Sequence, residues 1–343
     1  MHYLLQNKNT FPGFTPKERR DRLGGAEIQK EIGEESMYVL AGLIAGILLS
    51  MQTASNARLR SYVESPFASA LISCTVSFLL VILLLAVRTA GGNMTGPVFA
   101  GSSWWMYLGG FFGVAVLVGC IVLFPLLGAV QTTVLPIFGQ ILMGILTDAF
   151  GWFGSVKKPF SVISLAGVGI LVAGIVCVVI LPGRKSNAKD AAVSHKSAAW
   201  QVFAVLIGMA SAALAAVNGK LGVCLGSPLY AAASSIGTVV VLAFLINARL
   251  GTPKNIGRLY KKRSALWAFP GGSFGVAFIL LNTVSVPVIG TGSLMVFSVA
   301  GQLFCSALIE QFGWFCSERR QVKEIQIIGL LLMMLGVILV KVM

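Results

Sequence analysis

The sequence predicts an all-α polytopic membrane protein, with ten transmembrane helices arranged as two five-helix repeats of inverted topology. Three observations carry that prediction. The 343 residues are 56% hydrophobic and only 11% charged, with a mean hydropathy of +0.86, whereas soluble domains carry about 25% charged residues. Apolar runs of roughly 20 residues, enough for a helix to cross ~30 Å of hydrocarbon, recur along the chain. A long phrase of the sequence also returns at a constant displacement.

The apolar runs place spans at 37–55, 66–87, 104–123, 128–148, 161–181, 199–217, 228–247, 265–283, 289–309 and 324–343. Trp104, Trp105, Trp152, Trp200, Trp267 and Trp314 fall at or just beyond span ends, where amphipathic rings favour the membrane–water interface. Pro136 predicts a kink in the fourth span.

The phrase GQILMGILTDAFGWF (139–153) returns as GQLFCSALIEQFGWF (301–315), 162 positions on, with Asp148 answered by Glu310. The same displacement pairs Asn56 with Asn218, Ser65-Pro66 with Ser227-Pro228, Gly109-Gly110 with Gly271-Gly272, and Phe112-Gly113-Val114-Ala115 with Phe274-Gly275-Val276-Ala277. A gapless offset sustained over so many positions means duplication. The domains are then a first repeat at 37–181, a linker at 182–198 and a second repeat at 199–343. Five spans per repeat is an odd number, so the second repeat must run upside down relative to the first. Inverted repeats of this kind point to secondary transporters.

Five-plus-five inverted spans resemble the drug/metabolite transporter superfamily. Within it, QTASNARLRSYVESPFASALIS (52–73) and GQILMGILTDAFGWFG (139–154) resemble the YdcZ-like family of inner-membrane exporters. The resemblance covers about residues 37–343 and implies the fused ten-span form, a small-molecule substrate of undefined identity, and residence in the bacterial cytoplasmic (inner) membrane.

Residues 1–36 stand outside the repeat and are polar. Two readings compete: a cytosolic tail, or a segment upstream of a translation start at Met37. Beyond that segment, 15 Lys/Arg lie on the side of the membrane holding 56–65, 182–198, 248–264 and 310–323, against 5 on the other. The positive-inside rule therefore puts the linker in the cytoplasm and both termini outside. The same distribution accounts for the net charge of +14 without nucleic acid as a partner, since no basic face or nucleic-acid-binding fold accompanies it. The partners expected are the lipid bilayer and a small solute, with monomer and homodimer both open.

Asp148 and Glu310 are the acids at span edges, apart from Glu324 opening the last span. They read either as interfacial charges or as coupling or gating carboxylates. Gln140, Gly144 and Asp148 share one helix face, as do Ser298, Gln302, Ser306 and Glu310. Such a stripe should face protein rather than lipid, as a solute path or as glue between helices. Gln52 lies one turn deeper than Asn56 and is a pathway candidate, with Asn282 a weaker one; Asn56 and Asn218 also read as helix-end caps beside Arg58 and Lys220. The Gly-x-x-x-Gly pairs Gly109/Gly113 and Gly271/Gly275 predict close packing, with the third and eighth spans as the close pair or as moving elements.

Six scattered cysteines and two histidines in polar segments form no metal or catalytic set, and no cofactor motif is present. Free cysteines acting as small apolar residues are the expectation. An enzyme is disfavoured for want of a catalytic set. A channel is disfavoured for want of a charge ring or repeated filter, and without a Walker-type loop the driving force would be an ion gradient. A non-transporting membrane scaffold is the remaining alternative.

Overall fold

A serine followed by proline starts two of the helices, and it shows how local chemistry sets the frame. Ser65 and Ser227 have extended backbones, and their hydroxyls accept from the Ala68 and Leu229 amides, each at 3.2 Å. Pro66 and Pro228 then occupy the first helical position, where a missing N–H costs nothing. The computed structural model describes residues 25–91, 102–154, 162–180, 191–251, 268–317, 319 and 321–342. The tail to residue 24, most of the linker and Trp267 lie outside the described residues.

Among the described residues eight α-helices follow in order: α1 (Gly25–Val63), α2 (Pro66–Ala90), α3 (Gly109–Phe150), α4 (Val162–Ile175), α5 (Ala191–Cys224), α6 (Pro228–Arg249), α7 (Ala268–Phe312) and α8 (Glu324–Val342). No strand occurs among the described residues. Among the described residues five stretches are long and apolar enough to cross a membrane: Met37–Val63, Pro66–Ala90, Trp104–Thr147, Ala198–Cys224 and Pro228–Arg249. Large apolar side chains such as Leu79, Leu83, Val87, Phe244 and Leu331 point outward. Exposed apolar area on that scale suits hydrocarbon rather than water.

α3 is too long for one crossing, and it folds back on itself. Gly119 and Gly139 would stand about 30 Å apart on a continuous helix. Yet Gly119 packs on Ile207, and Gly139 on the backbone of Val205 and Met209, one stretch of α5. The reversal happens at Gly128, whose φ of 82° and ψ of 174° suit only glycine. The gap at 124–127 between the third and fourth predicted spans therefore turns at one residue, and Pro136 lies inside the arm that follows. Pro125, three residues earlier, leaves the Ile121 carbonyl without its helical donor. Arg60 supplies one: its guanidinium donates to Ile121 O at 3.0 Å.

α7 folds back likewise. Gly275 faces Gln52, while Gly301 abuts the backbone of Leu43 and Ile47, so two distant parts of α7 meet the same stretch of α1.

The contacts between the two halves come in exchanged pairs. Gly139 meets Val205 and Met209 as Gly301 meets Leu43 and Ile47; Gly208 meets the Pro136 carbonyl as Gly46 meets that of Ser298. Gly174 abuts Gly329, and Gly336 abuts Gly167. Every pair is related by the 162-residue displacement. The first helix of each half thus packs on the long hairpin of the other: α1 on α7, and α5 on α3. The last helices, α4 and α8, pack on one another, as do α2 and α6.

Here the glycine expectation needs correcting. Gly109 and Gly113 do not meet Gly271 and Gly275. Gly109 packs on Asn218 and Ser235, Gly113 on Val239, Gly271 on Asn56 and Ser73, and Gly275 on Gln52. The missing Cβ atoms make room for side chains of the opposite half, three of the four glycines facing polar ones, rather than for a second glycine helix.

The buried core is apolar and runs across both halves, for example Val130, Val134, Ile137 and Ile141 with Val299, Leu303, Met333 and Val337. The six cysteines are unpaired; Cys74 and Cys305 are buried and Cys316 is exposed. Trp104, Trp152, Trp200 and Trp314 are exposed, and Phe150–Trp152 stack as their repeat mates Phe312–Trp314 do.

Candidate functional site

Glu310 is the best-defined of the candidates. It lies on the last turn of α7 and is only 7% exposed. One carboxylate oxygen accepts from the Val130 N–H at 2.9 Å. Val130 stands two residues after the break at Gly128, where the second arm of α3 has amides with no intrahelical acceptor. A carboxylate suits that position twice, as an acceptor and as a negative charge at the positive end of an arm. Glu310 is thus not a solvated interfacial charge but the cap of a broken helix in the other half. Its repeat mate Asp148 has its backbone in α3, and its side chain lies outside the described residues.

The stripe above Glu310 faces protein, as expected. Ser298, Gln302 and Ser306 are buried. Gln302 donates through Nε2 to Ser298 Oγ at 3.4 Å, and its backbone carbonyl accepts from Ser50 at 3.1 Å. Ser306 donates to the Leu303 carbonyl of its own helix. In the twin, Gln140 reaches Ser211 Oγ on α5 at 3.3 Å. Each glutamine therefore stands where a hairpin meets the first helix of the other half, and these bonds hold helices together.

Asn56 and Asn218 do not cap helix ends. α1 continues to Val63 and α5 to Cys224; on α1, Arg58 donates to Tyr62 at 2.8 Å and Arg60 to carbonyls of α3 without leaving the helix. Both asparagines are instead set inside their helices against a glycine of the opposite half. Asn218 accepts a hydrogen bond from Ser235. Asn56 is 1% exposed, and neither its amide nitrogen, its amide oxygen nor the hydroxyl of Ser73 has a hydrogen-bond partner among the described residues. Gln52 lies one turn away against Gly275, on the same face of α1. The side chain of Asn282 lies outside the described residues.

The structure thus brings Gln52 and Asn56 together on α1, and separates them from Glu310, which belongs to the α3 hinge. The sequence reading missed Ser73 and Ser235, Arg60, and the break at Gly128. The serines are themselves a repeat pair at the 162 displacement, so the signal was present. Among the described residues no three His, Cys, Asp or Glu gather as a metal site.

A chain of apolar helices in two halves that exchange contacts across a shared interface defines a duplicated integral membrane protein. The family described as "Putative inner membrane exporter, YdcZ" matches residues 37–177 and again 199–339. The chain belongs to this family, and it is an integral protein of the inner membrane. The two matches begin and end 162 residues apart, which is the displacement of the repeat. Comparison with curated proteins returns no match.

Proposed function

We propose that the chain is a secondary transporter that exports a small molecule by alternating access. Its ten crossings would form two five-crossing halves of opposite orientation, rocking about the interface that they share. The observation that carries this reading is the exchange of contacts: each half's first helix grips the other half's hairpin through matched glycines (Gly46 and Gly301, Gly139 and Gly208). A pseudo-two-fold of this kind makes two conformations available in which the halves trade roles, and these can be close in free energy. Family membership supports export as the direction.

Proton coupling is assigned to Glu310 and Asp148. Glu310 is a buried carboxylate on the turn joining two arms of the opposite half, so its protonation state bears on how that hairpin is held. The uncharged surroundings of Asn56 and Gln52 favour a neutral or zwitterionic solute over an organic cation.

The test is solute counterflow in proteoliposomes holding the purified protein, with solutes chosen by profiling metabolites in cells with and without it. Saturable, trans-stimulated flux is the expected result. Ohmic conductance would make the protein a channel, and absence of either would leave a scaffold.

A further inference from the structure

The glycine contacts between the halves are made in both copies, whereas one polar pair whose residues are the same in both repeats is bonded in one copy and not in the other. Asn218 accepts from Ser235 beside Gly109. Their mates, Asn56 and Ser73, sit beside Gly271 in the same way, yet the amide and the hydroxyl are unbonded among the described residues. Both side chains are 1% exposed, so bulk water does not reach them. Leaving buried polar atoms unpaired is unfavourable, and the twin shows that this same constellation can pair.

We propose that Asn56–Ser73 and Asn218–Ser235 are two copies of one polar latch that close alternately, and that the unmade latch is the subsite for an uncharged hydrogen-bonding group of the transported solute. This rests on the carrier reading above. If the halves trade roles, the second conformation is one in which Asn56 pairs with Ser73 and Asn218 is released. The two states then carry the same number of made latches, which keeps them close in free energy.

An asparagine amide offers a donor and an acceptor side by side, and a serine hydroxyl offers either. Gln52, one turn deeper, adds a second amide. The complement is a neutral carboxamide, urea or hydroxyl group; a bare carboxylate or ammonium would find no counter-charge at these residues. The unmade latch lies toward the face that the loop charges place in the cytoplasm, the side from which an exporter takes its solute.

The experiment uses the full chain with its six cysteines replaced, and one reporter cysteine at Val76 or at Thr238. These are repeat mates that pack on Gly272 and Gly110 respectively, each next to one latch. Reaction with a small water-soluble methanethiosulfonate is expected to be faster at Val76→Cys than at Thr238→Cys. Breaking the made latch with Asn218→Ala or Ser235→Ala should raise the Thr238→Cys rate by roughly five-fold, the effect of one net hydrogen bond. Asn56→Ala should leave it unchanged. Acetamide or urea should slow labelling at Val76→Cys, while acetate and methylammonium should not.

Two variants break the made latch, so a folding failure in one leaves the other, and size-exclusion profiles identify such a failure. Equal reporter rates, equal responses to Asn56→Ala and Asn218→Ala, or protection by the charged probes as strong as by the neutral ones would each overturn the proposal. Labelling needs no flux. Asymmetric labelling without counterflow would remove the carrier reading, and counterflow with symmetric labelling would remove the latches.

Discussion

Glu310 and Val130 are joined by a 2.9 Å hydrogen bond, and 180 residues of chain separate them. One belongs to the second repeat and the other to the first, so the end of one half's hairpin caps the turn of the other's. Substituting Glu310 then has two separable consequences. Glu310→Gln keeps an amide oxygen that can accept from Val130, and its melting temperature in detergent should stay close to that of the parent. Glu310→Ala leaves a buried N–H unpaired, a loss of about 1–3 kcal/mol, and should melt earlier. If the carboxylate also couples protons, Glu310→Gln and Asp148→Asn will lose flux driven by a pH gradient while remaining folded. Unchanged pH-driven flux in both variants would leave Glu310 with the cap alone.

The turn that Glu310 caps depends on Gly128. At φ 82° and ψ 174° a side chain meets strain of about 1–3 kcal/mol. Gly128→Ala should therefore lower the yield of monodisperse protein sharply. Gly226, at φ 74° with nothing within 4 Å of a Cβ, should accept Asn, a residue that tolerates the left-handed region. A Gly128→Ala protein as stable as the parent would show that the hairpin does not need this backbone conformation.

Arg60 and Pro125 form a compensating pair. Proline withholds a donor from Ile121 O, and the guanidinium supplies one at 3.0 Å. Arg60→Ala should cost roughly 1–3 kcal/mol by orphaning that carbonyl. In a Pro125→Ala background the helix regains its own N–H, and the same Arg60 substitution should cost less. A double-mutant cycle in thermal or denaturant melting reads the difference. Additive effects would mean that Arg60 acts elsewhere.

Much of this architecture was legible in the sequence, for identifiable reasons. Apolar length marks membrane helices because hydrocarbon has a fixed thickness. The duplication was legible because Gly-Gln…Phe-Gly-Trp-Phe survived in both copies. The polar stripe of Gln302 and Ser306 was placed on an inward face because lipid offers no hydrogen bonds. What stayed hidden was which partner each residue meets. Helical periodicity gives a face and not the neighbour across from it, so Gly109 and Gly271 were paired with each other when each meets an asparagine. Arg60 read as a loop charge because the carbonyls that accept from it lie some 60 residues away, and Arg58 because its partner Tyr62 falls in the same predicted loop. Glu310 read as interfacial because its acceptor role needs the break in another helix.

The glycines at the crossing points make the sharpest stability prediction. A Cβ on Gly46, Gly139, Gly208 or Gly301 would overlap the backbone of a helix in the other half, whereas at Gly169 and Gly219 it would meet nothing within 4 Å. Backbone cannot move aside as a flexible side chain can, so overpacking there should cost about 1–3 kcal/mol or more per site. Alanine at any of the first four should therefore lower the melting temperature and the folded yield. Alanine at Gly169 or Gly219 should be neutral or mildly stabilising, since it favours helix. The exchange of contacts adds a finer expectation: Gly46→Ala and Gly208→Ala occupy equivalent sites and should cost similar amounts, as should Gly139→Ala and Gly301→Ala. Fluorescence-detected size exclusion after a heat step ranks all six variants in one experiment. Tolerance at Gly46 together with intolerance at Gly208 would mean that the two crossings do not bear equally on the fold, and that the halves are less interchangeable than their contacts imply.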